Sequence, residues 1–344
     1  MAALRSFSTD LMQRTPLETF RAFRAFEENG RVQGRVVDAT LAELSAGDVV
    51  IRAAYSSVNY KDALAATGAG KIIRRFPLVP GIDVAGTVAS SADARFREGD
   101  AVLVTGYDLG VAHDGGYAGF VRVPADWVVP MPDGLSPFEA MAIGTAGFTA
   151  ALSVIDLEQN GLSPANGPVI VTGATGGVGS LAVQMLAGLG YAVTALTGKD
   201  SEHDFLRGLG AREVMPRGAV PAATRPLEKS QWAGAVDAVG GDTLAWLTRT
   251  MLYNGAIANS GLTGGTELHT TVLPFILRGV KLLGIDSVLC PMEKRRRVWQ
   301  RLGGDLKPAR LRDVAREIAL DDLPDACATL LRGGARGRFV VRLS

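Results

Sequence analysis

Cysteine and histidine are scarce in this chain of 344 residues. The only cysteines are Cys290 and Cys327, too few for a disulfide framework or a four-cysteine zinc site, and a reducing compartment with buried thiols is the natural interpretation. The histidines His113, His203 and His269 lie far apart in the sequence. A catalytic zinc needs three protein ligands around an open position. We therefore expect no metal and assign no histidine to chemistry.

Charge of one sign and long apolar runs are also missing. The chain has 36 Lys and Arg against 35 Asp and Glu, which argues against nucleic acid as the main partner. The longest apolar candidate, Ala140–Leu152, is interrupted by glycine and threonine and falls short of a membrane span. Residues 1–18 have no signal-peptide region, and we interpret them as an N-terminal extension. We expect a cytoplasmic protein with no membrane partner.

The length fits two domains, and the first is rich in strands. Predicted strands at Thr19–Phe26 and Arg31–Val37 flank Asn29-Gly30, a pair that supplies the positive φ angles of a tight hairpin. A short helix is expected at Ala63–Ala66. Many short strands with little helix indicate a β-rich, barrel-like domain. Its further strands are predicted at Val49–Tyr55, Asp83–Ala89, Ala101–Thr105 and Ala118–Val123.

A long helix is predicted to follow this first domain. Ser136 at the cap, Pro137 at the first helical position and Glu139 three residues after the cap form a capping box. We expect the helix to run to about Glu158 with glycines inside it.

Strands and helices then alternate, which indicates a doubly wound parallel sheet. Residues 293–331 are predicted to be helical, and Arg338–Leu343 a closing strand. The strands of the sheet are predicted at Val169–Thr172, Ala192–Leu196, Glu213–Met215, Ala235–Val239, Ala256–Asn259 and Leu282–Ile285.

The first predicted strand of this sheet breaks into the glycine-rich run Gly173–Gly179, and a helix follows. Such a turn offers unpaired N–H groups to a pyrophosphate, and glycines let it approach the backbone. The G-x-G-x-x-G pattern falls on Ala174, Gly176 and Gly179, with alanine at its first position. The turn therefore predicts a dinucleotide site.

The end of the second strand reads Thr197-Gly198-Lys199, with no carboxylate at its tip. A hydroxyl, a glycine and an ammonium suit a 2′-phosphate better than a 2′-hydroxyl. We infer NADPH rather than NADH. The alternative is that Lys199 is an ordinary solvated lysine.

Several sequence segments resemble those of the medium-chain dehydrogenase/reductase superfamily, and within it the zinc-free quinone oxidoreductase-like group that includes acryloyl-CoA reductases. They are Ser57–Leu64, Pro80–Val88, Ile143–Ala150, Arg225–Lys229 and Pro274–Arg278. The resemblance implies an α/β protein in which a GroES-like catalytic domain, residues 19–145 completed by 290–344, surrounds a Rossmann NADPH-binding domain, residues 146–289. It also implies a homodimer made by pairing edge strands of the cofactor domains.

The resemblance also implies which residues contact NADPH. Leu262, Ile276 and Ser287 would line its nicotinamide half. The remaining contacts would come from Tyr60, Thr175, Gly176, Gly177, Val178, Thr197, Gly198, Lys199 and Arg217.

The zinc-dependent relatives have His-Glu after the proline-glycine turn, whereas this chain has Ile82-Asp83. Without a Lewis acid, hydride transfer needs an acceptor polarised by conjugation, such as an enoyl thioester. Tyr60 is our candidate proton donor, although it could serve only to pack the cofactor. Asn59 and Asp62 are grouped with it as candidate catalytic residues, the alternative being that they hold the loop by hydrogen bonds.

The function expected from the resemblance is NADPH-dependent reduction of acryloyl-CoA to propionyl-CoA. The alternatives are a quinone or small-enone reductase and a non-enzymatic NADPH-binding sensor. Lys71, Arg74 and Arg75 are hypothetical partners of the CoA phosphates or a charged loop rim. The run Lys294–Arg297 is interpreted as a solvated basic helix face.

Overall fold

The computed structural model describes residues 19–222 and 225–344. The predicted extension at residues 1–18 lies outside this part of the chain. Two large sheets organise the fold, one mostly antiparallel and one parallel. The strands are β1 (Phe20–Glu28), β2 (Arg31–Ala39), β3 (Val49–Val58), β4 (Asp83–Ser91), β5 (Ala101–Thr105), β6 (Phe120–Val123), β7 (Val129–Pro130), β8 (Val169–Thr172), β9 (Val193–Thr197), β10 (Glu213–Pro216), β11 (Trp232–Asp237), β12 (Met251–Asn259), β13 (Lys281–Gly284), β14 (Ala315–Ala319) and β15 (Arg338–Arg342).

The α-helices lie between these strands along the chain, and several of them contact strands of the parallel sheet. They are α1 (Tyr60–Thr67), α2 (Pro137–Gln159), α3 (Gly177–Gly188), α4 (His203–Gly208), α5 (Gly241–Thr250), α6 (Leu273–Arg278), α7 (Met292–Gly303), α8 (Leu311–Val314) and α9 (Leu323–Leu331).

The first sheet combines strands from both ends of the chain. Its order is β14-β15-β3-β4-β5-β7, and β6 pairs with β3. The C-terminal β15 pairs antiparallel with β3, with Phe339 opposite Val58. The β1–β2 hairpin turns at Asn29 and Gly30, whose φ angles of 53° and 72° are those the Asn-Gly pair predicts.

The second sheet is parallel and has the order β10-β9-β8-β11-β12-β13. Numbered along the chain, this is the 3-2-1-4-5-6 order of a Rossmann fold. The fold class is therefore as predicted, a GroES-like domain with a Rossmann cofactor domain. The domain bounds stay a prediction, since they depend on where α2 is divided.

Helix α2 lies between the two sheets and contacts both. Its cap is the predicted one: Ser136 Oγ accepts from the Glu139 N–H at 3.2 Å, and Glu139 Oε2 accepts from the Ser136 N–H at 2.9 Å. Within the described residues, α2 is the one helix long and apolar enough to cross a membrane, but 89% of that apolar window is buried inside the protein. Burial between two sheets explains its apolar composition.

The helix is interrupted at Gly144, where φ is 51° and ψ is −161°. Two helices therefore meet at Gly144, and Thr145 begins the second one. The sequence prediction of one continuous helix was wrong on this point.

A second correction concerns residues 293–331, which were predicted to be wholly helical. Ala315–Ala319 forms β14 instead and pairs in parallel with β15, because a neighbouring strand satisfies its backbone groups. Other strands are displaced from their predicted bounds by a few residues. The largest shift is in β12, which begins at Met251 rather than Ala256.

Candidate active site

Tyr60 is the first residue of α1 and is 45% exposed. The carboxylate of Asp62 holds this turn: Oδ2 accepts from the Asn59 N–H at 2.9 Å and Nδ2 at 3.0 Å, and Oδ1 accepts from the Ile82 N–H at 2.9 Å. Asp62 is 1% exposed and Asn59 is 8% exposed. These are the hydrogen bonds of the alternative role, in which Asn59 and Asp62 hold the loop next to Tyr60. Their grouping as catalytic residues stays a prediction.

A buried polar cluster lies under this turn, with Asp83 as its main acceptor. Oδ2 of Asp83 accepts from Ser57 Oγ at 2.6 Å, Asn59 Nδ2 at 2.8 Å and the Thr145 N–H at 2.9 Å. Oδ1 accepts from Thr145 Oγ1 at 2.5 Å. Because Asp83 is fully buried and its oxygens are occupied by these donors, it orders the loop and caps the second part of α2.

Arg338 completes this cluster and was not singled out from the sequence. Its guanidinium donates to Asn59 Oδ1 at 2.9 Å and to Ser57 Oγ at 2.7 Å, and lies 3.7 Å from Asp83 Oδ2. The side chain is 3% exposed. A charged residue opening a strand of apolar side chains was the only sequence signal available. The C-terminal strand thus supplies the counter-ion for a carboxylate on β4.

Burial shapes the electrostatics of the cluster. Desolvation, reinforced by the neighbouring Asp83 carboxylate, raises the pKa of Asp62 to about 7. Burial lowers the pKa of Arg338 from its usual high value, with Asp83 acting in the opposite direction. A buried guanidinium remains charged, so Arg338 and Asp83 form a pair shielded from water.

The glycine-rich turn has the shape needed for a pyrophosphate. Gly176 precedes the first residue of α3 and makes no side-chain cap, so the first N–H groups of the helix remain free to bind an anion. A Cβ at Gly179 would lie 2.4 Å from the Gly173 carbonyl oxygen, and one at Gly177 would lie 3.0 Å from the Arg338 side chain. The Thr175 carbonyl accepts from the Gly337 N–H at 2.9 Å. The glycines are required by close packing as well as by ligand access.

The end of β9 carries Lys199, predicted for a 2′-phosphate, and lies next to Arg217, predicted to contact NADPH. The Lys199 N–H donates to Thr197 Oγ1 at 3.1 Å. The guanidinium of Arg217 lies against Gly198, where a Cβ would be 2.1 Å from Nη2. The residues present here fit the adenosine end of NADPH.

The predicted nicotinamide residues are only partly brought together. Leu262 lines a cavity of about 350 Å³ at the ends of β11 and β12, beside Asn259 and Ser260. The Ser260 hydroxyl is buried with no protein partner, as a group that binds a ligand would be. The Ser287 carbonyl accepts from Arg295 at 3.2 Å. Ile276 instead lies on α6, 68% exposed, and does not line this cavity.

The three basic residues proposed to bind the CoA phosphates have different surroundings in the structure. Arg75 lies 2.9 Å from the buried carboxylate of Asp114, so it has a structural role. Arg74 lies 3.4 Å from Asp108, and Lys71 is exposed, so both stay hypothetical substrate contacts.

The basic run on α7 is not uniformly solvated, which corrects its interpretation. Arg295 is fully buried and donates to the Thr105 carbonyl at 2.7 Å. Its guanidinium lies 4.4 Å from the centroid of the Tyr107 ring. It links α7 to β5.

Two protein families match the chain: Alcohol dehydrogenase GroES-like domain over residues 45–133, and Zinc-binding dehydrogenase over residues 177–302. With the two-sheet fold and the nucleotide-binding turn, these matches define an oxidoreductase, and the chain belongs to the medium-chain dehydrogenase/reductase family. It is 52% identical to YhfP of Bacillus subtilis, which carries the name of a quinone oxidoreductase, over 94% of this chain and 99% of that protein. It is 49% identical to the acrylyl-CoA reductase AcuI of Ruegeria pomeroyi, over 92% and 96%. Within the family it falls in the acryloyl-CoA reductase branch.

Two solved structures are also similar. The yhdH oxidoreductase of Salmonella enterica in complex with NADP superposes with a TM-score of 0.92 at 48% identity, covering 94% of this chain and 100% of that one. The Bacillus subtilis yhfP structure has NAD bound, with a TM-score of 0.93 at 52% identity over 95% and 100%. The cofactor of this chain is NADPH, and the chain is an NADPH-dependent oxidoreductase.

Proposed function

We propose that the chain reduces the conjugated double bond of acryloyl-CoA to give propionyl-CoA. The observation that supports this substrate most directly is the 49% identity to AcuI over 92% of the chain. The described residues also contain no cluster of three His, Cys, Asp or Glu side chains that could hold a metal. A metal-independent reaction needs an acceptor already polarised by conjugation, and a thioester carbonyl next to the double bond provides that polarisation.

NADPH, when bound, supplies hydride for the β-carbon of the acceptor. The buried cluster of Asp83 and Arg338 holds the turn that carries Tyr60. We assign the proton transfer to the α-carbon to the phenol of Tyr60, and its exposure at the first residue of α1 supports this role. The helix start and the cluster hold the backbone that carries this side chain.

A quinone or small-enone reductase is the second candidate, favoured by the 52% identity to YhfP. Oxidation of NADPH should be followed with acryloyl-CoA, crotonyl-CoA, acrolein and a benzoquinone as acceptors. We expect the highest kcat/KM with acryloyl-CoA. Preference for the quinone or acrolein, with no thioester turnover, would replace the first candidate by the second.

Substitution of Tyr60 by phenylalanine tests the proton-donor role. Loss of a general acid typically lowers turnover about a hundredfold or more, so Tyr60→Phe should lower kcat by that amount while the Kd for NADPH changes less than about threefold. Tyr253→Phe is the control, because Tyr253 is 72% exposed on β12. Unchanged kcat in Tyr60→Phe would leave Tyr60 with a cofactor-packing role only.

We also propose that the protein is cytoplasmic and homodimeric. Exposed apolar side chains at the β13 edge of the parallel sheet support the homodimer.

A further inference from the structure

A third cation lies beside Lys199, which was predicted for the 2′-phosphate, and Arg217, which was predicted to contact NADPH. Lys199 Nζ donates to the Ala335 carbonyl at 2.5 Å, so the C-terminal segment before β15 passes directly over the end of β9. Arg336 is the next residue of that segment. Its guanidinium lies 4.9 Å from the centroid of the Phe205 ring on α4. Arg336 therefore shares the space beyond β9 with Lys199.

The present partner of Arg336 is a carboxylate that a phosphate could replace. Arg336 Nη1 lies 3.4 Å from Glu202 Oε2, and the two side chains are 55% and 17% exposed. A single long contact to a half-exposed arginine is a weak ion pair, and most of the five guanidinium donors remain available. Glu202 also acts on Lys199: burial lowers the pKa of that ammonium, and the Glu202 charge raises it. Glu202 is thus the anion already present among these cations.

We propose that Arg336 is a specificity-determining residue that binds the 2′-phosphate of NADPH together with Lys199 and Arg217. A phosphate with nearly two negative charges and three acceptor oxygens competes well with one carboxylate for these donors. Lys199 and Arg217 follow strands of the parallel sheet, whereas Arg336 precedes β15 of the other sheet. Residues of both domains therefore contact the 2′-phosphate. The hydrogen bond from the Gly337 N–H to the Thr175 carbonyl holds the segment that carries Arg336 against the glycine-rich turn.

Fluorescence titrations with NADPH and with NADH, without any acceptor, test this role. Arg336→Ala should raise the Kd for NADPH about tenfold, as expected for loss of one charge-assisted contact, and change the Kd for NADH less than about twofold. Arg207→Ala is the matched control, since Arg207 is an exposed arginine of α4 paired with Asp204. It should change neither Kd by more than about twofold. The result does not depend on which substrate the enzyme reduces.

Two further variants separate recognition from a structural role. Arg336→Lys should recover part of the NADPH affinity, because it restores the charge without the planar fork. Glu202→Gln should tighten NADPH binding about twofold, and this gain should be smaller when Arg336 is also alanine, because only the effect on Lys199 then remains. Equal weakening of NADPH and NADH by Arg336→Ala, or no weakening of NADPH, would overturn the proposal.

Discussion

Arg338 stabilises the fold through its buried ion pair with Asp83. Removing one partner of a buried ion pair leaves the other uncompensated, which costs about 3–5 kcal/mol. Arg338→Met should therefore lower the free energy of unfolding by about that amount in urea titrations. Arg342→Met, on the same strand, is the control. Arg342 pairs with Glu317, and both side chains are more than 40% exposed, so the loss of this pair should cost less than about 1 kcal/mol. Equal effects of the two variants would contradict the assigned role of Arg338.

Asp62 should make stability depend on pH in an unusual direction. Its pKa is about 7 in the folded protein and about 4 in an unfolded chain. Between these values the folded state holds a proton that the unfolded state has lost, so the contribution of Asp62 to the free energy of unfolding falls as pH rises. The stability difference between wild type and Asp62→Asn should decrease from about pH 4 to about pH 7 and then level off. A flat or rising difference in urea titrations across this range would show that folding does not raise the pKa of the carboxyl.

At the scale of the element, α2 depends on one glycine. Gly144 has a positive φ that L side chains rarely adopt, and an added Cβ would lie 2.4 Å from Arg338 Nη2 and 2.7 Å from Asp83 Oδ2. Gly144→Ala should destabilise the protein by at least about 2 kcal/mol, measured by chemical unfolding. Gly188→Ala is the control: Gly188 is helical in α3 with no atom within 4 Å of its Cβ position. That variant should be neutral or slightly stabilising. Similar stability of the two variants would show that α2 tolerates a side chain at its break.

At the scale of the whole molecule, the parallel sheet ends at β13 with an apolar surface. An unpaired edge strand with exposed apolar neighbours is a template for association. We expect a dimer by light scattering, and Leu282→Lys should make it monomeric. Glu213→Lys on β10, the opposite edge of the sheet, should leave the mass unchanged. A monomeric wild type, or a dimer indifferent to Leu282→Lys, would refute this arrangement. The exposed apolar residues near β13 are Val272, Ile276, Leu277 and Leu282.

Features encoded within a few residues could be predicted from the sequence alone. The hairpin at Asn29-Gly30, the cap at Ser136 and the turn at Gly176 depend on backbone angles and hydrogen bonds between near neighbours, and the structure contains all three. The strand β14 was missed for the opposite reason. Its hydrogen-bonding partner, β15, is more than twenty residues away, and local preference alone suggested helix.

The sequence by itself determined the fold class, the dinucleotide turn and the NADPH cofactor, because each depends on residue types at short fixed spacings. The tertiary structure alone decided that Arg338 lies beneath Asn59 and that Ala335 reaches Lys199, contacts that join residues 279 and 136 positions apart. It also decided that α2 breaks at Gly144. Only glycine fits at this break, because Arg338 and Asp83 fill the space that a side chain would need. Buried charges are balanced by whichever groups the fold brings near, and sequence spacing does not record that proximity.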